Sequence, residues 1–194
     1  MRTLLRFLPW ALWLVCVNVS AATFWTGPEV SFSKTPFADP TLAANQDRLA
    51  ATVWITRASS RGLYNAAQET GYGVLPPVLS PLGTQWALGS LAGGVQGLTF
   101  APWETTIRSI APGAGPPDAV GVMMVVHLVA DDIYLDIKVT SWNPLTSGGG
   151  GFSYLRSSPP PAVTASQKVP MLPWPAMLAL GCILVTVGIT RRRD

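Results

Sequence analysis

The sequence predicts an all-β body, an antiparallel β-sandwich or jelly roll, followed by a single C-terminal transmembrane helix. Three observations carry this. Proline and glycine recur every few residues through the middle of the chain, which leaves no room for long helices. The stretch "VMMVVHLVADDIYLDIKVTSW" passes from a nearly continuous valine-rich run to strict apolar–polar alternation, the signature of two paired strands. Finally, residues 172–190 are uncharged and largely apolar, and arginines follow them.

Residues 1–22 read as a secretory signal peptide. Arg2 and Arg6 supply the basic start, "FLPWALWLVCVNV" the short apolar core, and Ser20 and Ala22 the small pair before cleavage after Ala22. The apolar core is too short to be read first as a spanning helix. Residues 23–156 form the extracytoplasmic body. Its candidate strands are residues 30–34, 52–57, 85–88 and 98–103, with single helical turns in "TLAANQDRLAAT" and "GLYNAAQET". Residues 122–129 have the composition of a strand buried on both faces. In the next strand Ile133, Leu135, Ile137 and Val139 point one way, and Tyr134, Asp136, Lys138 and Thr140 the other. Asp131 and Asp132 make the turn between them. "GFSYLRS" is the last strand, reached through a run of glycines at 148–151 read as a flexible hairpin connection.

Residues 157–168, "SSPPPAVTASQK", are a proline-rich linker. An extended polyproline path at about 3.1 Å per residue lets it span roughly 37 Å. The tail, residues 169–194, follows. A helix over residues 172–190 reaches roughly 28 Å, close to a hydrocarbon core of about 30 Å. Pro173 and Pro175 fall where a first helical turn tolerates proline. Trp174 suits one headgroup boundary, and Arg191, Arg192 and Arg193 form the cytoplasmic membrane stop. The expected location is export, with an inner-membrane anchor before any processing and the cell envelope or surface afterwards. The membrane, the secretion machinery and signal peptidase are the expected partners.

Composition narrows the chemistry. The whole chain carries a formal charge of +3, but the excess of basic residues sits in the two ends and the linker. From residue 23 to 158, seven basic residues face nine acidic ones, so the body is no nucleic-acid binder. Both cysteines, Cys16 and Cys182, lie in the ends. The body therefore has no disulfide framework, thiolate nucleophile or cysteine zinc site.

No catalytic constellation stands out. His127, the single histidine, sits inside an apolar run and reads as structural. Glu29, Glu69 and Glu104 are the glutamates a two-carboxylate glycosidase or lyase would draw on, yet nothing in their spacing pairs them. Asp39, Asn45 and Asp47 offer oxygen donors that a loop could fold around calcium, but without EF-hand spacing the stretch reads first as a solvated loop, with calcium the metal to test first. Of the five body tryptophans, Trp25 and Trp142 lie beside turns and are the candidates for stacking on a sugar ring.

Two resemblances add to this reading. "VPMLPW" followed by an apolar helix and an arginine cluster resembles the C-terminal sorting signals recognised by exosortases, of the Ile-Pro-Thr-Leu and Pro-Glu-Pro kinds. Val169, Pro170, Leu172 and Trp174 match that motif by type. Met171 and Pro173 depart from it, and one residue before the tryptophan is missing. The resemblance implies cutting near the prolines by a membrane-embedded exosortase-type peptidase and release or transfer of the body. In the body, "NQDRL", "VWITR", "LYNAAQE", "TQWALG" and "GGGGFSYLR" resemble a recurrent domain of exported bacterial proteins without an assigned activity. The combined expectation is an envelope-anchored or surface-released protein with a binding or structural role. The alternative is a carbohydrate-active enzyme or glycan-binding module.

Overall fold

The computed structural model describes residues 21–73, 79–144 and 148–161. Ser20 and the whole sorting tail lie outside the described residues. The chain divides at the Pro160–Pro161 junction, and the fold concerns the first unit. Among the described residues no helix is long and apolar enough to cross a membrane.

The body is a two-sheet β structure of sandwich-like form. The larger sheet runs β2 (Gly27–Lys34), β9 (Phe152–Ser158), β8 (Ile133–Trp142), β7 (Met123–Leu128) and β6 (Thr84–Leu88). Its sixth strand, β1 (Thr23–Trp25), pairs parallel with the start of β8. The expected antiparallel arrangement holds for every other pairing of these strands. β1 lies alongside β8 at residues 133–135, while β9 pairs with β8 from Ile137 onward. The smaller sheet is antiparallel: β3 (Asp47–Ala50), β4 (Val53–Arg57) and β5 (Leu63–Asn65).

The central hairpin follows the sequence pattern. Along β8, Leu135, Ile137 and Val139 are buried, and Tyr134, Asp136 and Lys138 are half-buried on the other side. β7 pairs with β8 from Met123↔Lys138 to Leu128↔Ile133, and Asp132 takes a positive φ of 49° in the turn. Aspartate tolerates that conformation better than most residues.

Three expectations are corrected and one is extended. Residues 98–103 form no strand. Ala101 makes an isolated bridge to Trp86, and the chain then enters α1 (Trp103–Arg108) behind Pro102. "GLYNAAQET" holds the expected single turn, closed by the Glu69 amide on the Asn65 carbonyl at 2.8 Å, and also supplies β5 before it. Ser157 and Ser158, placed in the linker by sequence, close β9, where Ser157 Oγ accepts from the Asp136 amide at 3.0 Å. The glycine run is tightly packed rather than flexible: a Cβ at Gly150 would stand 1.8 Å from the Ala58 carbonyl oxygen.

One core joins the two sheets. Leu49, Val53, Ile55 and Leu63 from the small sheet pack with Trp86, Met124, Leu135 and Tyr154 from the large one. α1 closes one side through Trp103, whose ring meets Trp86 edge-on at 4.7 Å. Such an aromatic pair contributes about 0.5–1.5 kcal/mol beyond the area it buries. A polar pin also ties the sheets. Asp47 on β3 takes two bonds from the Arg156 guanidinium, at 2.6 and 2.9 Å, and one from the Tyr154 hydroxyl at 2.8 Å, both on β9.

Candidate functional site

Where β4 ends, its last side chain turns inward. Arg57 is 1% exposed. Its Nε donates to the Arg61 carbonyl at 2.7 Å, and its Nη1 to the carbonyls of Asn143 at 2.8 Å and Gly151 at 3.2 Å. The guanidinium carbon lies 3.9 Å above the Trp142 ring. Three carbonyls and an aromatic face therefore fix the cation in place. Among the described residues no carboxylate reaches it to form an ion pair. Burial pulls its pKa down to about 10, so it keeps its charge at neutral pH.

Arg57 is the inner wall of a hollow of about 820 Å³. Ser60, Arg61, Tyr72, Glu104 and Arg108 share the lining, and Pro116, Pro117 and Pro144 stiffen its sides. α1 contributes Glu104 and Arg108 one turn apart, which puts them on the same face. Arg108 Nη2 donates to Glu104 Oε1 and the Tyr72 hydroxyl to Glu104 Oε2, each at 2.5 Å. Burial, and then the bond to Glu104, pushes the Tyr72 phenol up, so it stays a donor. Three arginines face one glutamate whose two oxygens already hold two donors. The hollow is electropositive.

A second buried cation lies within the field of the first. Lys34, at the end of β2, is 2% exposed, and its Nζ has no hydrogen-bond partner among the described residues. Burial and then the charge on Arg57 lower its pKa, against a smaller opposing pull from Asp39. On α1 the Trp103 Nε1 is also buried without a hydrogen-bond partner among the described residues.

The residues singled out by sequence have mostly structural places. Trp25 and Trp142 are 7% and 9% exposed, so the expectation that they are the most exposed tryptophans is corrected. Arg156 stands 5.5 Å from the Trp25 ring. Arg57 covers Trp142, whose ring also lies 6.2 Å from Trp103 in a near-parallel stack. Trp142 still reaches the hollow, and Trp25 does not line it. Trp54 is the half-buried one, and Arg48 lies 4.1 Å over its ring.

The calcium trio does not converge. Asp39 Oδ1 accepts from the amide and hydroxyl of Thr41, Asn45 donates to the Asp39 carbonyl, and Asp47 is held by Arg156. Among the described residues no three His, Cys, Asp or Glu side chains gather as a metal site. His127 stacks on Tyr134 at 4.1 Å, and its Nε2 lies 3.0 Å from Asp132 Oδ1. Asp131 stays exposed in the turn.

The glutamates part company. Glu104 lines the hollow, Glu29 is exposed on β2, and Glu69 Oε2 accepts from the amides of Asn65 and Leu82. The cluster of Arg57, Arg61, Arg108 and Tyr72 was not foreseen. A strand ending in arginine, "VWITR", was its one visible trace. No family model matches this chain, and neither a curated protein nor a solved structure is significantly similar to it.

Proposed function

We propose that this chain is an exported protein, held in the membrane by its C-terminal segment, whose body is a binding module with its site in the arginine-lined hollow. The signal–body–linker–anchor order of the sequence supports the location. Cutting near the motif formed by Val169, Pro170, Leu172 and Trp174 by an exosortase-type enzyme then frees the body or passes it to another envelope component. One observation carries the binding role. Arg57 is a buried cation, held by three carbonyls and one ring at the wall of a hollow, with no ion-pair partner among the described residues. A hollow of about 820 Å³ suits a small ligand of one or two sugar rings. The location of the three glutamates supports binding over two-carboxylate hydrolysis, because Glu104 is the one acidic residue lining the hollow.

Two measurements test this. The intact mass of the protein from membranes and from medium locates the cuts: loss of residues 1–22 and an end near Val169 support export and sorting. A protein that keeps residues 1–194 and fractionates with the cytosol refutes the location. A panel of small glycans and anions tests the body. Retention without product supports binding, product release supports the enzymatic alternative, and a uniform lack of binding refutes the module.

A further inference from the structure

The Trp142 ring is not open for stacking on a sugar. Carbohydrate sites use an open aromatic face, and here Arg57 covers one face of Trp142 while Trp103 packs near-parallel beside it. What the hollow offers instead is guanidinium. Arg61, exposed and held at a φ of 69°, and Arg108, whose side chain is 66% exposed, stand at its mouth. Arg57 is fixed in the wall. Glu104 is shared between Tyr72 and Arg108 and leaves the hollow with a surplus of two positive charges.

We propose that the hollow binds the oxyanion of its ligand, a carboxylate or phosphate group, through Arg61 and Arg108 at the mouth, with Arg57 as a fixed positive wall. This rests on the binding-module reading and names the ligand chemistry for the same site. Planar guanidinium groups match two-oxygen anions in a way that ammonium groups do not. An anion in the hollow also offsets the cost of holding Arg57 away from water without a counter-ion. The body as a whole is slightly acidic, so the attraction is local to this hollow.

The test uses the full chain purified in detergent, with three probes: a galacturonic acid oligosaccharide, inorganic phosphate, and a neutral galactose oligosaccharide of equal length. Calorimetry at low salt is expected to show binding of at least one anionic probe and none of the neutral one. The acidic sugar and the phosphate arms separate a carboxylate from a phosphate ligand. Arg61→Gln and Arg108→Gln, both exposed positions that leave the core intact, each weaken the anionic probe roughly tenfold. Raising salt weakens it further. Ser60→Trp fills the mouth and abolishes it. A neutral probe that binds as tightly as the acidic one, and is blocked by Ser60→Trp, overturns the oxyanion inference and leaves the binding module standing. An anionic probe indifferent to Ser60→Trp overturns both, because its site lies elsewhere. No binding of either anionic probe at millimolar concentration also overturns the inference.

Discussion

Lys34→Met is expected to make this protein more stable, not less. The Lys34 side chain is 2% exposed, and its Nζ finds no acceptor among the described residues. Its backbone pairs with Phe152 in the β2–β9 ladder, which the substitution leaves alone. Methionine keeps most of the apolar stem and removes the ammonium. Leaving a buried polar group unsatisfied costs about 1–3 kcal/mol, and exchanging buried charge for well-packed apolar atoms has gained about 1–4 kcal/mol elsewhere. A gain of about 1–3 kcal/mol follows. At roughly 3 °C per kcal/mol for a domain of this size, Tm rises by roughly 3–9 °C. Urea unfolding at pH 7 measures it as a higher midpoint at unchanged slope.

The pH dependence provides an independent check. Burial and the Arg57 charge lower the Lys34 pKa from 10.5 in the fold, so between that lowered value and 10.5 the unfolded chain binds more protons than the native one. The charge-linked part of the Lys34 destabilisation is therefore complete below the lowered value and is lost as the pH rises past 10.5. The gap between the methionine variant and the wild type narrows over that window. An unchanged or lower midpoint, with a gap that ignores pH, refutes the claim that this ammonium is buried without a partner.

Three further outcomes follow from the same geometry. Asp47→Ala leaves the half-buried Arg156 without its counter-ion and unties the buried Tyr154 hydroxyl, so urea unfolding should show a loss of about 2–4 kcal/mol. Gly150→Ala forces a Cβ toward the Ala58 carbonyl at a φ of 66°, and a loss of about 3–5 kcal/mol or failure to accumulate folded protein is expected in thermal melts. Millimolar calcium should leave Tm unchanged, because Asp39 and Asp47 are engaged by Thr41 and Arg156; a rise of several degrees would show that the loop rearranges around the ion.

Features set by local pattern were legible in the sequence. The alternation of β8 and the valine run of β7 both follow from one-residue spacing along a strand. Features set by long-range packing were not. Residues 98–103 have the apolar content of a strand, yet Ala101 makes only a bridge to Trp86 before Pro102 starts α1. α1 is only six residues long and contains two threonines, too short and too β-branched for its period to show. Trp142 lies beside a turn and so looked exposed, but Arg57 from residues far away in sequence covers it. The glycine run looked loose because sequence carries no record of the Ala58 carbonyl against which Gly150 packs.

The hollow was illegible for a related reason. Its side chains come from the end of β4, the loop after it, Tyr72, α1 and the end of β8, and none of these segments carries a motif on its own. What marks the site is a departure from packing rules. Arg57 has a structural explanation up to a point, since two of its three carbonyl bonds bring the β4 end onto Asn143 and Gly151. That explains its hydrogen bonds but not the missing counter-ion. Neither does it explain why a lysine, whose Nζ has no partner among the described residues, is buried at position 34 when methionine would cost less. Buried cations kept against the demands of stability are where a fold departs from local consistency for the sake of something it binds. If Lys34→Met stabilises the protein and also weakens the anionic probe, the two departures share one cause. If it stabilises the protein and leaves the probe untouched, the Lys34 charge belongs to the fold alone and Arg57, Arg61 and Arg108 hold the anion without it.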